Sequence, residues 1–222
     1  MGETFAARDR KGRELVVKIV HSQLSLFAQV EAFWKAQNTL AELSTPYIGA
    51  PTESTWTDSG RFLMVAPRFE GLDLSAVLQR GALVASQVLR FAGQVCVALE
   101  AAHGASVMHG RLTPRNVLLV PRKAPDGTAT FTTRVTDFAG HLLLDEGEAP
   151  KVADDVRAIA LLMVQALVGD VEVSLDDAAA RMTSSDGQAK VPKRLAEILL
   201  GALSETPSKR PASVAALREA LE

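Results

Sequence analysis

Residues 108–119 read MHGRLTPRNVLL, and eighteen residues after Asn116 residues 134–139 read RVTDFA. In the first stretch, a polar loop that ends at Asn116 runs into a short apolar segment. In the second, a β-branched segment ends at Asp137, and the residues between the two segments carry the turn chemistry of Gly and Pro at 123–127. We therefore predict two short strands joined by a turn, with Asn116 before the first strand and Asp137 after the second.

The part of the chain before these stretches is rich in strand signals. Strands are predicted at residues 4–8, 15–20, 47–56 and 61–66. The second of them carries Lys18, and a helical period with apolar residues on one face covers residues 24–43. A strand-rich front of about seventy residues with one helix is the result.

The back of the chain is dominated by helical patterns. Helices are predicted at residues 72–79, 84–102, 155–168, 175–182, 194–204 and 212–221. Strands that are followed by helices, rather than alternating with them, favour an α+β protein with two lobes.

The two opening stretches resemble the signature motifs of eukaryotic-like serine/threonine protein kinases. The catalytic loop of that family reads H-R-D-L-x-P-x-N followed by aliphatic residues, and its metal-binding motif reads D-F-G. Here residues 109–116 read HGRLTPRN and residues 137–139 read DFA. Residues 70–74 (EGLDL), 155–160 (DVRAIA) and 206–211 (TPSKRP) match further landmarks in the same order. The resemblance covers essentially the whole chain.

This resemblance implies an α+β, two-lobed protein-kinase-like fold, with a small truncated β-rich N-lobe that has one helix and a larger α-helical C-lobe. We expect a single domain over residues 1–222, with the N-lobe at 1–66, the hinge at 67–71 and the C-lobe at 72–222. The N-lobe lacks most of the glycine-rich phosphate loop, of which Gly2 matches at best the last glycine. Either the lobe is naturally short or the sequence is a piece of a longer one.

The resemblance also implies that catalytic parts are missing. The family's catalytic base is an aspartate that here would follow His109 and Gly110, and Arg111 stands in its place. A guanidinium stays protonated in proteins and cannot accept a proton. The glutamate that would pair with the strand lysine falls on Ala36. We therefore identify the chain as a degenerate member of the superfamily, a pseudokinase of bacterial style, and expect that it is not an enzyme.

The activation segment is short, because only 17 residues separate Asp137 from Asp155. In the family, a glutamate of this segment pairs with the arginine that corresponds to Arg210. With that glutamate absent, we expect Arg210 to pair with Glu146 or Glu148.

Other residues that the family uses to bind nucleotide are retained. Lys18 stands where the family holds phosphate, Ala66 takes the gatekeeper position and Leu118 matches the apolar floor beneath the adenine. Asn116 and Asp137 are oxygen ligands of the type that Mg²⁺ prefers. We expect that no cofactor is required and that ATP binds weakly, with or without Mg²⁺. The alternative is that these residues are remnants that only support the fold.

The favoured function is a regulatory or scaffolding module that binds a protein partner, either an active kinase or another domain of the same parent protein. The alternative is an unconventional ATP-dependent phospho- or nucleotidyl-transferase, for which Asp137 would have to serve as the base.

Composition limits the other classes of partner. The net charge of -2 on 222 residues leaves no basic footprint for nucleic acid, and no apolar run is long enough to cross a membrane. The single cysteine, Cys96, excludes a disulfide within the chain, which fits a reducing cytoplasm. The oligomeric state stays open.

Overall fold

The computed structural model of the protein describes residues 2–20, 27–58, 60–143, 148–183 and 191–222. Its strands are β1 (Gly2–Arg8), β2 (Glu14–Val20), β3 (Glu53–Trp56), β4 (Phe62–Pro67), β5 (Leu72–Asp73), β6 (Val117–Lys123) and β7 (Ala129–Val135). Its α-helices are α1 (Phe27–Ala41), α2 (Leu74–Leu78), α3 (Ala85–Gly104), α4 (Val152–Val168), α5 (Leu175–Thr183), α6 (Lys193–Ala202) and α7 (Val214–Leu221). Short 3₁₀ turns lie at Pro114–Asn116, Gly140–Leu143 and Pro207–Lys209.

The N-lobe is a four-stranded antiparallel sheet in the order β1-β2-β4-β3 with α1 against it. Lys18 of β2 lies opposite Thr4 of β1 and Met64 of β4, so its strand is paired on both sides. Phe33 of α1 meets Phe62 of β4 edge to face, with ring centroids 6.5 Å apart. This buried aromatic pair joins the helix to the sheet.

The loop after α1 differs from the predicted strand at residues 47–56, because the strand begins only at Glu53. Pro51 has no N–H to donate to a ladder, which favours irregular backbone there. The residues before it pair across the molecule instead. Val135 of β7 donates its N–H to the Tyr47 carbonyl and accepts the Gly49 N–H, both at 2.8 Å. These bonds connect the N-lobe to the strand that leads to Asp137.

The C-lobe is built around α3 and α4, whose contacting faces are fully buried. Helix α4 begins three residues earlier than predicted, because the Asp154 carboxylate accepts the N–H of Lys151 at 2.9 Å and caps the helix. It ends at Gly169, which adopts φ 73° as a left-handed C-cap. An alanine at that position would also collide with the backbone of Ala82.

The predicted strand pair is present as β6 and β7, which form an antiparallel sheet with β5. Asn116 immediately precedes β6, and Asp137 follows β7 by two residues. The two-lobed α+β architecture that the sequence predicted is therefore confirmed, whereas the numbered division of the chain into lobes and hinge stays a prediction.

Candidate functional site

A cleft of about 380 Å³ lies between the sheet of the N-lobe and the hairpin of β6 and β7. Apolar side chains line much of it, with polar groups concentrated at one end. The lining residues include Val16, Lys18, Phe33, Gln37, Met64, Ala66, Phe69, Leu118, Thr136 and Asp137. An apolar slot with a few convergent polar groups is the usual form of a small-molecule site.

Four of the five residues that the sequence assigned to a nucleotide site line this cleft: Lys18, Ala66, Leu118 and Asp137. Asn116 is not among the lining residues. It is buried at the start of β6, and its side-chain oxygen accepts the Thr113 hydroxyl at 2.7 Å. The structure thus brings the lysine, the aspartate and the apolar positions together in one cleft, whose lining does not include the asparagine.

Lys18 and Asp137 form a direct ion pair at the polar end of the cleft. Their side chains are 24% and 29% exposed, so water screens the pair less than it screens the surface pairs of the protein. Asp137 adopts φ 63°, a left-handed conformation that is uncommon for a residue with a side chain. Asp137 is one of the residues that line the cleft.

Helix α1 contributes Gln37, which sequence reasoning missed. Gln37 is 4% exposed, and its side-chain amide donates to the carbonyl of Phe138 at 2.8 Å. Ala36, where the helix glutamate was expected to be lost, is only half-buried and does not line the cleft. The sequence did hold a signal for Gln37, because it follows Phe33 by four residues and precedes Leu40 by three, on the buried face of the helix.

His109 is fully buried, and its ring packs against that of Phe138 with centroids 4.7 Å apart. Its Nδ1 accepts the N–H of Arg111 at 3.3 Å, so Nε2 carries the proton and donates to the Thr136 carbonyl at 3.1 Å. Burial lowers the pKa of His109. The neutral ring thus ties the 109–116 loop to the segment that carries Asp137.

Asp155 in the first turn of α4 holds the same loop from below. Its carboxylate is 1% exposed and accepts the backbone N–H groups of His109 and Gly110, each at 2.9 Å, and the ring Nε2–H of His103 at 2.8 Å. Burial raises the pKa of this carboxyl, but the bond from His103 and the two backbone amide donors outweigh it and bring the pKa below its ordinary value.

Gly110 adopts φ 73°, and its missing side chain leaves room for the ring of His141. A Cβ at this position would overlap the His141 ring and come within 2.8 Å of Pro150. His141 and Pro150 therefore lie against the loop where the family has an arginine side chain. Nothing in the sequence pattern singled out His141 for this position.

Arg111 is exposed at the position of the family's base. Arg210 pairs with Asp154 at 3.4 Å and donates to the backbone carbonyls of Ala153, Ser204 and Glu205. The expected pair with Glu148 is wrong, because Glu148 is exposed and pairs with a lysine at the start of α4. Glu146, the other expected partner, lies outside the described residues.

Within the described ranges, no helix is long and apolar enough to cross a membrane. The same ranges contain no group of three or more His, Cys, Asp or Glu side chains that could hold a metal ion without further ligands. Cys96 is buried in α3, and burial raises the pKa of its thiol to about 12.

Comparison with known proteins places this cleft in a family context. Residues 1–152 match the model of the protein tyrosine and serine/threonine kinase family. The whole chain is 26% identical to the serine/threonine-protein kinase pkn3 of Myxococcus xanthus and covers 47% of that relative. The chain spans about half or less of the length of the curated relatives it matches.

Two solved structures show the fold. The kinase domain of Mycobacterium tuberculosis PknI superimposes with a TM-score of 0.76 at 20% identity, over 100% of this chain and 90% of that one. Rad53 1–466 in complex with AMP-PNP superimposes with a TM-score of 0.74 at 19% identity, over 98% of this chain and 60% of that one. The protein-kinase-like fold expected from the sequence is confirmed.

These comparisons contradict the expectation that the chain is not an enzyme. The curated relatives are named serine/threonine-protein kinases, and the comparisons do not show this chain to be degenerate. The prediction of inactivity rested on the loss of the catalytic base at Arg111, and that loss alone does not abolish catalysis. In most analyses phosphoryl transfer passes through a loose transition state, so that catalysis is mainly positioning and electrostatic stabilisation.

Proposed function

The chain belongs to the protein tyrosine and serine/threonine kinase family, and on that premise we propose that it is an ATP-binding phosphotransferase domain of a bacterial signalling protein. The observation that carries the proposal is the meeting of Lys18 and Asp137 at the polar end of an apolar cleft. If the ring system of a nucleotide occupied the apolar part of the cleft, its phosphate tail would lie at the polar end. There Lys18 offers a cation for the phosphates and Asp137 a carboxylate for a metal.

The residues of the cleft fit ATP. Val16 of the N-lobe and Leu118 of the C-lobe supply apolar surface from the two sides, and Ala66 leaves the back of the cleft open. Lys18 offsets the charge of the phosphates. Asp137, together with Asn116, supplies the oxygen ligands that would hold Mg²⁺, and bound Mg²⁺ would neutralise the charge that develops on the transferred group.

Arg111 makes the transfer slow rather than absent. Assistance by a general base contributes about 10²–10⁴ in rate, and that contribution is missing with a guanidinium at this position. The 109–116 loop is still held in place, because Asp155 and His109 fix it through contacts that do not involve the side chain of Arg111. We therefore expect measurable but slow turnover.

Transfer of radiolabelled γ-phosphate from ATP to the protein itself and to a general protein substrate tests the proposal. Asp137→Asn removes the carboxylate charge and should abolish transfer, whereas the matched variant Asp126→Asn, in the exposed turn between β6 and β7, should leave it intact. Lys18→Met should weaken ATP binding. The proposal fails if the wild-type protein transfers no phosphate at saturating ATP, or if Asp137→Asn transfers it as well as the wild type.

We also propose that the domain works through a protein partner, either an active kinase or another domain of its parent, in the cytoplasm, and that it does not bind nucleic acid. The net charge of -2 and the short activation segment support this part of the proposal. A binding titration against the other domains of the parent protein tests it, and the absence of binding up to the solubility limit would contradict it for those partners. Nucleotidyl transfer gains no support from relatives that are named kinases.

A further inference from the structure

The ion pairing at the polar end of the cleft differs from the lysine–glutamate pair between strand and helix that the family has. Among the described residues of α1, Phe33 and Gln37 line the cleft, and neither is acidic. Gln37 uses its amide as a donor to the carbonyl of Phe138. Lys18 consequently pairs with Asp137 and not with a carboxylate of the helix.

The position of Gln37 fixes this arrangement. Its side chain is buried and bonded to the backbone between Asp137 and Ala139, so α1 holds the segment of Asp137 without supplying a negative charge. A buried amide that loses its hydrogen-bond partner keeps the full cost of its desolvation, so this bond is costly to break. The bond therefore helps to keep Asp137 next to Lys18.

Two of the oxygen atoms that a metal could use are already engaged. Asp137 Oδ1 contacts the Lys18 ammonium, and Asn116 Oδ1 accepts the hydroxyl of Thr113 at 2.7 Å. A Mg²⁺ ion would have to compete with a covalently tethered cation for the Asp137 carboxylate. Lys18 can also lower the repulsion between Asp137 and the incoming phosphates, which is the electrostatic role that a metal has in such sites.

We propose that Gln37 makes nucleotide binding in this cleft largely independent of Mg²⁺, because it leaves Lys18 as the cation that neutralises Asp137. This inference rests on the proposed function, since it concerns the same ATP site. It extends that function by assigning to a neutral residue of α1 the control of metal dependence.

The test compares the dissociation constant of ATP in Mg²⁺ and in EDTA for three proteins. For the wild type we expect a change of less than about threefold. Gln37→Glu places a carboxylate in the cleft that Lys18 also lines. If this carboxylate competes with Asp137 for the ammonium, Asp137 is freed for the metal, and the effect of Mg²⁺ should rise to about tenfold or more. Asn38→Glu is the matched control, since it adds the same charge at the neighbouring exposed position of α1 and should behave as the wild type.

The outcomes separate this inference from the proposed function. A wild-type affinity that rises more than about tenfold with Mg²⁺ overturns the inference alone, and this measurement stands even if Gln37→Glu does not fold. An equal effect of Mg²⁺ in the wild type and in folded Gln37→Glu also overturns it. If the wild type binds no ATP in either buffer, the proposed function fails and the inference fails with it.

Discussion

Replacing Gly110 with alanine tests how the catalytic loop is packed. The structure places the ring of His141 in the space that a side chain at position 110 would need, with Pro150 close beside it. The backbone at Gly110 also has φ 73°, which disfavours any residue that carries a Cβ. Two separate costs therefore act on Gly110→Ala.

The magnitude follows from these two costs. A left-handed residue with a Cβ costs about 1–2 kcal/mol, part of which is offset because alanine restricts the unfolded chain more than glycine does. Forcing an additional methyl group against packed atoms costs about 1–3 kcal/mol more. We expect Gly110→Ala to lower the free energy of unfolding by about 2–4 kcal/mol.

Gly127→Ala is the matched control. Gly127, in the turn between β6 and β7, has φ 82°, and a Cβ there would meet no atom within 4 Å. It therefore carries the backbone cost alone, about 1 kcal/mol. Urea unfolding followed by tryptophan fluorescence and circular dichroism measures both variants.

The double variant Gly110→Ala/His141→Ala isolates the clash with the ring. In a protein that already carries His141→Ala, Gly110→Ala should lower the free energy of unfolding by about 1–2 kcal/mol less than it does in the wild type. The reason is that the closer of the two contacts, the one with the His141 ring, is gone. Equal destabilisation by Gly110→Ala and Gly127→Ala, or strict additivity in the double variant, would refute the packing of His141 against the loop.

Three further predictions follow from the same region and from the core. Arg111→Asp should raise the rate of phosphoryl transfer by up to about 10²-fold by restoring a proton acceptor, whereas Arg115→Asp, also exposed in the loop, should not raise it; equal rates in both variants would contradict the role given to position 111. Burial lowers the pKa of His109 below its ordinary value of 6.5, so the unfolded chain binds a proton that the folded chain does not. The contribution of His109 to the free energy of unfolding is therefore fully present above pH 6.5 and is lost, at about 1 kcal/mol per pH unit, as the pH falls from 6.5 through the folded pKa. Urea unfolding midpoints measured between pH 7.5 and 5.5 would show this loss. Burial also lowers the pKa of His141, which adds a change of the same sign. Cys96, with a pKa raised to about 12, should resist iodoacetamide at pH 8 in the folded protein and react fully in urea, and rapid alkylation of the folded protein would contradict its burial.

The sequence predicted the architecture well because its signals were numerous and ordered. The strand that carries Lys18, the helix that follows it and the hairpin before Asp137 each had a period or a turn that local chemistry decides. The boundaries were less accurate where a single side chain decides them, as with Asp154, whose bond to the Lys151 N–H starts α4 early. A cap of this kind depends on one rotamer, and no periodic pattern contains that information.

The site was predicted less completely, because its chemistry depends on which side chains meet across the fold. Lys18, Ala66, Leu118 and Asp137 were assigned to one site from motif spacing, and they line one cleft. Gln37 was missed because the expected residue was an acid and because its position on the helix was assigned to Ala36, one residue too early. The position of one helix residue over a backbone carbonyl 101 positions away cannot be read from spacing.

The position of His141 is a second feature of the site that could not be predicted from the sequence. A glycine where the family has an arginine suggests only that something is absent. In the folded protein the volume is filled by a ring from a later turn, so the loop is packed and not merely shortened. A loss that is visible in the sequence can therefore be compensated by a residue that the sequence does not mark.

The backbone near the cleft argues that this compensation preserves a site and not only a fold. Two residues with side chains, Asp137 and Ala139, adopt φ 63° and 58° within one short segment, and the family has glycine at the second position. Such conformations cost of order 1–3 kcal/mol each and persist only where the surroundings enforce them. Here the bonds of Gln37 to Phe138 and of the Ala139 N–H to the carbonyl of His109 enforce them. A segment that served only to connect β7 with α4 could relax to ordinary dihedral angles. Its retained strain places Asp137 against Lys18 at the polar end of the cleft, which supports the proposed nucleotide site.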